Sequence, residues 1–239
     1  MLYFRGCTTR EKLNTISDST EKILKLAKID FYSLKNEGCC GSVLLRTGST
    51  EEGKEQMENN LKIFKDKQIL VSCAGCYKTL KHDYKEILDV ELDVIHISQL
   101  LKELLNNQKL SDNQINNNVI QKDEVTYVTF HDSCHLGRHF EIYDAPREVI
   151  NYFSNIQEMN NIKEDSKCCG SGGGVKSAFP DISKSIATLR AKEAEATGCD
   201  ILITSCPFCK LNLDENSSLE VLDLTEFVLK RLVKEDINE

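Results

Sequence analysis

Ten cysteines of this chain fall into one spacing that occurs twice, and no other feature restricts its folding so tightly. Cys7, Cys39-Cys40-Gly41 and Cys73-x-x-Cys76 in the first half are answered by Cys134, Cys168-Cys169-Gly170 and Cys206-x-x-Cys209 in the second. The flanks agree in character. Ile69-Leu70-Val71-Ser72 before Cys73 matches Leu202-Ile203-Thr204-Ser205 before Cys206, and Val94-Ile95-His96-Ile97-Ser98 matches Val221-Leu222-Asp223-Leu224-Thr225. A repeat of this kind means that two like units fold from one chain. The first unit is placed at 1–110 and the second at 122–239. The intervening 111–121 belongs to a stretch rich in Asn, Gln, Ser and Asp, which reads as a solvated linker. Of the eleven cysteines only Cys199 lacks a counterpart, and it reads as a buried, inert thiol.

Short apolar runs precede the cysteines: Leu2-Tyr3-Phe4, Ile29 to Leu34 and Ile69 to Val71 in the first unit, Val125 to Phe130 and Ile201 to Ile203 in the second. Helical periodicity fills the gaps, with Ile16, Ile23 and Ala27, then Met57, Leu61 and Phe64, and later Ile182, Ile186 and Leu189. Ser49-Thr50-Glu51-Glu52 supplies a capping box for the second of these helices, and Phe140 to Phe153 has helical packing through Pro146, Val149 and Ile150. Strands alternating with helices predict an α/β fold of two pseudo-symmetric lobes, each with a small, mainly parallel sheet. In such sheets ligands gather at the carboxyl ends of the strands, so the cysteines of each lobe are expected on one edge.

Composition removes several function classes. A formal net charge of −8 disfavours nucleic acid, because phosphate neutralisation needs a surplus of Lys and Arg. No apolar run approaches the roughly 18 to 20 residues of a membrane span, and Met1 to Arg5 is no signal peptide, so a cytoplasmic protein is expected. In that reducing setting clustered thiols read as metal ligands or redox groups, and a disulfide scaffold does not fit. Four thiolates satisfy a cubane cluster or a tetrahedral zinc ion, and five exceed both. Zinc at one or both sites stays open, because Cys-x-x-Cys is a common zinc pair. Thioredoxin-like chemistry would use one Cys-x-x-Cys and leave three cysteines of each unit idle.

The arrangement resembles the cysteine-rich CCG-domain family, which includes the B-type catalytic subunit of heterodisulfide reductase and the carboxyl-terminal part of its D-type subunit. Two complete five-cysteine motifs carry the resemblance, with His131-Asp132-Ser133-Cys134-His135 and Cys168-Cys169-Gly170-Ser171-Gly172-Gly173-Gly174 beside them. It implies two noncubane [4Fe-4S] clusters, one on Cys7, Cys39, Cys40, Cys73 and Cys76, the other on Cys134, Cys168, Cys169, Cys206 and Cys209. The implied reaction is cleavage of a coenzyme M–coenzyme B disulfide, or its reverse, between the two clusters. This sequence contains no ferredoxin-type cysteine run, so electrons are expected from a ferredoxin-type iron–sulfur subunit, with a flavoprotein as a further partner. The same module occurs in iron–sulfur subunits of glycolate or lactate oxidases and of thiol-dependent fumarate reductases. A non-catalytic zinc-stabilised interaction module is the reading of another class.

Beyond the cysteines, His131, His135 and His139 surround Cys134, while Phe4, Thr8 and Glu11 stand near the corresponding places of the first unit. An imidazole there can donate a hydrogen bond to a cluster sulfur or pass a proton to a departing thiolate. Arg46 and Lys176 follow the two Cys-Cys-Gly triplets, where either could meet an anionic substrate group. Gly170 to Gly174 is no nucleotide loop, since Val175 separates Gly174 from Lys176; its bare N–H groups are expected near cluster sulfur. The acidic tail from Glu235 reads as solvated.

Overall fold

A computed structural model describes residues 1–110 and 127–233. The predicted linker at 111–121 and the acidic tail from Glu235 lie outside the described residues. The first lobe runs β1 (Leu2–Phe4), α1 (Cys7–Lys12), α2 (Asn14–Leu26), α3 (Ser42–Thr47), α4 (Thr50–Phe64), β2 (Gln68–Val71) and α5 (Ala74–Lys78). A π-helical turn (Thr79–Asp83), α6 (Tyr84–Leu88), β3 (Asp93–His96) and α7 (Ile97–Asn106) complete it. The second runs β4 (Tyr127–His131), α8 (Gly137–Phe140), α9 (Asp144–Phe153), β5 (Asn155–Ile156), α10 (Val175–Ala178) and α11 (Pro180–Glu195). After these come β6 (Ile201–Thr204), α12 (Pro207–Asp214), β7 (Glu220–Asp223) and α13 (Leu224–Leu232).

Both sheets are parallel throughout, ordered β1-β2-β3 and β5-β4-β6-β7. Helices cover them, so strands such as Ile69-Leu70-Val71 read as unbroken apolar runs. The Ile29–Leu34 run forms no strand. Its Tyr32 makes an isolated parallel bridge to Leu2, in the place where β5 pairs with β4 in the other lobe. Register sets Phe4, Val71 and His96 side by side at the end of one sheet, and His131, Thr204 and Asp223 at the end of the other. Cys7, Cys73, Cys134 and Cys206 follow within a few residues, so the carboxyl edges carry the thiols.

The apolar core passes through both lobes. Tyr3, Leu70 and Leu101 share one cluster with Phe130, Ile203 and Phe227, while Phe4 and Val71 share another with Leu136, Leu202 and Val221. The closing helices cross over: α7 of the first lobe packs on α9 of the second, and α13 of the second packs on α2 of the first. Thr15 on α2 donates to Glu226 on α13 at 2.6 Å, tying one crossing. No described helix is long and apolar enough to cross a membrane.

Two local expectations change. Ser49 makes no side-chain cap on α4, because its backbone (φ −81°, ψ 64°) is outside the extended region that swings an N-cap oxygen over the first turn. Capping boxes stand instead at the carboxyl ends of β3 and β7. There Ser98 N–H donates to His96 and His96 N–H to Gln99, and likewise Thr225 N–H to Asp223 and Asp223 N–H to Glu226. Helix α11 is present, yet Ile182 and Leu189 are exposed, and its buried face is Ser183, Ala187, Arg190, Ala191 and Ala194. Close approach to the backbone of the Cys168-Cys169-Gly170 turn demands small residues on that face: a Cβ on Gly170 would lie 2.6 Å from the Ser183 carbonyl oxygen.

Candidate metal centre

The ends of β1 and β2, and of β4 and β6, bring three thiols to each group of five, and the Cys-Cys-Gly loops ahead of α3 and α10 add the other two. In the first, Cys7, Cys39, Cys40, Cys73 and Cys76 line one cavity together with Gly6, Ser42 and, from the other lobe, Phe208. The Cys7 and Cys39 sulfurs are 3.9 Å apart. In the second, Cys168 neighbours Cys169, Cys169 neighbours Cys209, and Cys209 neighbours Cys206, with Cys134 facing Cys206 and Cys169. The groups adjoin, because Cys73 and Cys206 are direct neighbours across the lobe boundary. Burial repeats as well. Cys40, Cys73 and Cys76 are buried like Cys169, Cys206 and Cys209, while Cys7, Cys39, Cys134 and Cys168 are reached by solvent. Cys199 is buried as expected, and its N–H donates to Thr197 Oγ1.

Ionisation within each pentad is mutually opposed. Cys39 and then Cys76 hold Cys40 below the ordinary thiol range, while Cys40 and then Cys73 push Cys76 above it. The second lobe repeats this, with Cys168 and Cys209 holding Cys169 down and Cys169 pushing Cys209 up. Packed, buried thiols cannot all become thiolates unless a cation joins them. Several further observations suit a polynuclear iron–sulfur group. Five sulfurs per site exceed what one ion takes. Gly41 N–H donates to Cys39 Sγ at 3.4 Å, Gly170 N–H to Cys168 Sγ at 3.3 Å, and Cys76 N–H to Cys73 Sγ at 3.5 Å, as thiolate ligands require. A Cβ on Gly6 would come within 2.9 Å of Cys76 Sγ. Beside the cysteines, buried Thr9 Oγ1, Ser171 Oγ and Ser205 Oγ have no hydrogen-bond partner among the described residues, which inorganic sulfide would supply.

The remaining predicted residues scatter to different roles. A nitrogen of buried His131 and the sulfurs of Cys169 and Cys209 all lie within 4.8 Å of one another. His135 reaches across to the first lobe, its Nδ1 3.6 Å from where a Cβ on Gly75 would stand. Burial chiefly holds this imidazole below its ordinary range; the Cys206 sulfur opposes that, and the Arg46 and Lys78 cations reinforce it. His139 lies beside His135, with 5.6 Å between ring centres and the planes tilted, and is exposed. Arg46 is held by Ser42, Thr79 and Asp83, and Lys78 also binds Asp83, which the π-helical turn turns toward them. Lys176 is bonded to Glu215 and to Asn212, which in turn donates to the Cys169 carbonyl, at a surface pocket. Of the glycine run, Gly170 serves a sulfur, whereas Gly172 and Gly173 are exposed.

Sequence reading passed over the groups that fasten the cysteine turns. Buried Glu37 accepts from Gly6 N–H at 2.7 Å and Arg5 N–H at 3.1 Å, holding the turn into Cys7. In the second lobe Arg147 forks onto Asp132 at 2.7 and 2.9 Å, and Arg190, fully buried, binds His131, Ser166 and Glu193. His131-Asp132 directly before the Cys134 turn was the available signal; nothing in the helical pattern of α11 marks Arg190 as buried.

A family model, the CCG cysteine-rich domain, matches residues 1–81 and 128–214. The D-type subunit of dihydromethanophenazine:CoB–CoM heterodisulfide reductase from Methanosarcina acetivorans is 36% identical over 97% of this chain and 59% of its own length. An iron–sulfur protein of Methanococcus maripaludis is 32% identical, covering 98% of this chain and 44% of that one. The B-type subunit of a fumarate reductase (CoM/CoB) from Methanothermobacter marburgensis is 30% identical, over 92% and 42%. The chain thus spans about three-fifths or less of the length of these relatives.

Proposed function

We propose, from the premise that this chain belongs to the CCG cysteine-rich domain family, that it holds two noncubane [4Fe-4S] clusters and acts in a heterodisulfide-reductase-like enzyme. Its substrate is a mixed disulfide of the coenzyme M–coenzyme B type, or the two thiols in the reverse direction. Electrons come from ferredoxin-type clusters of a partner subunit. The observation that carries this reading is the adjacency of the two pentads through Cys73 and Cys206, which lets one small sulfur compound meet both sites. When bound, the clusters supply one-electron steps and iron for sulfur to bind.

The chain's own residues do the remainder. Cys7, Cys39, Cys134 and Cys168 form the solvent-facing rim through which a thiol or disulfide enters. His135, between the lobes, presents an imidazole where a thiol proton has to be taken up or returned. Arg46 and Lys78, with Asp83 between them, give that side a local positive excess toward anionic thiol substrates.

Anaerobic iron and sulfide quantitation tests the reading, with about eight irons per chain expected and zinc at most in traces. Electron paramagnetic resonance after thiol addition should then give a new signal, and Cys40→Ala should halve the iron. Full clusters without viologen-driven reduction of the mixed disulfide, in the complex with its partners, would remove the substrate assignment. The second reading, an electron-transfer role in a thiol-dependent fumarate reductase, is favoured by the likeness to the Methanothermobacter marburgensis protein. Turnover with fumarate in place of the disulfide would select it.

A further inference from the structure

The two pentads have the same five thiols but not the same neighbours. The last residue of β1 is Phe4 and the last of β4 is His131, each three positions before the first cysteine of its pentad. Phe4 packs edge-on against Phe64 at 5.3 Å and offers no donor. His131 sits instead against Cys169 and Cys209. Behind it, Arg190 Nε donates to His131 Nδ1 at 3.1 Å. Arginine is only ever a donor, and an imidazole nitrogen that accepts a hydrogen bond carries no proton, so the ring proton is on Nε2. Arg190 cannot swing away, because its other nitrogens hold the Asn161 carbonyl at 2.9 Å, Glu193 at 2.7 Å and Ser166 Oγ at 3.1 Å.

We propose that Arg190 is a positioning residue that locks His131 as its Nε2–H tautomer and aims that N–H at the sulfurs of the second pentad, so that the second cluster is the easier of the two to reduce. This rests on the reading that both pentads hold clusters. A hydrogen bond donated to a thiolate ligand withdraws electron density and stabilises the more negative, reduced state, which raises the potential. His96, from the first lobe, has its Nδ1 engaged by Ser98 and its ring against the Ser72 and Ser205 backbone, one residue before a cysteine of each pentad, so it does not distinguish the two sites. An electron delivered to the protein therefore comes to rest at the second pentad, beside His135, and the duplicated sites divide the work unequally.

The test is an electron-paramagnetic-resonance-monitored redox titration of the cluster-loaded protein, in wild type, His131→Phe, His131→Gln and Arg190→Leu. His131→Phe copies the first lobe. It should lower the reduced-to-oxidised ratio of one cluster at fixed potential at least tenfold, which is 59 mV for a one-electron couple, and leave the other in place. His131→Gln, which keeps an N–H, should recover most of that shift, and Arg190→Leu should move the same cluster in the same direction. Full iron and sulfide with both clusters unmoved, or both moved equally, by His131→Phe overturns the proposal while the iron–sulfur reading stands. Wild-type protein without iron overturns both. Should Arg190→Leu fail to fold, the Phe and Gln pair decides alone.

Discussion

Asp223 ends β7 with its carboxyl fully inside the protein, one oxygen capping α13 through Thr225 N–H and the other without a partner among the described residues. Burial, and after it the nearby Glu226, pushes this carboxyl from 3.8 up to about 7. A raised carboxyl binds its proton more tightly in the folded state. Stability from this group is therefore whole below about pH 4 and lost as pH rises to about 7, on the order of 4 kcal/mol in total. Asp223→Asn keeps the capping acceptor and abolishes the titration. Calorimetry should find the variant close to wild type at pH 4 and more stable at pH 8. A difference that does not grow with pH across that window would refute the assignment. In the first lobe His96 holds the same position and is pushed down to about 4, again by burial. One site in a duplicated frame has thus been filled by an acid and by a base whose burial favours the uncharged form of each.

Among the elements, the turn from β1 into α1 is the most exacting. Gly6 has φ 81° and ψ 156°, a region essentially closed to other residues at about 1 to 3 kcal/mol, and its missing Cβ leaves room for Cys76 Sγ. Gly6→Ala should cost that stability and also empty the first pentad, halving the iron content. Gly48→Ala is the control. Gly48 has φ 93° with nothing within 4 Å of an added Cβ, so it should lower the melting temperature and keep all the iron. Elements of this kind are also where sequence reading succeeds and fails. The repeat made the pentads, the parallel strands and most helices readable, because cysteine spacing and buried apolar runs are local signals. The face of α11 was not readable: Ile182 and Leu189 give a helical period, yet Arg190 and small residues are turned inward because the cysteine turn and His131 lie there. Ser49 likewise matched a capping box whose backbone geometry it does not adopt. In each case the deciding partner is far away in the chain.

On the scale of the whole molecule, the crossing of α7 and α13 makes each lobe complete the other. Phe227 on α13 is buried in the cluster that contains Tyr3 and Leu70, edge-on to Phe153 at 6.4 Å. Phe227→Ala should cost about 3 to 5 kcal/mol. It should also lower one shared unfolding transition, followed by circular dichroism of the cluster-loaded protein; two separate transitions would mean that the lobes are energetically independent. The double packing of the closing helices has a consequence for descent. Because α7 also lies on α9 of the second lobe and α13 on α2 of the first, neither copy can be deleted without baring the flank of its twin. Loss of either copy is thereby closed off, and divergence shows instead at matched sheet ends such as Phe4 against His131, where the backbone register is kept and the side chain has changed.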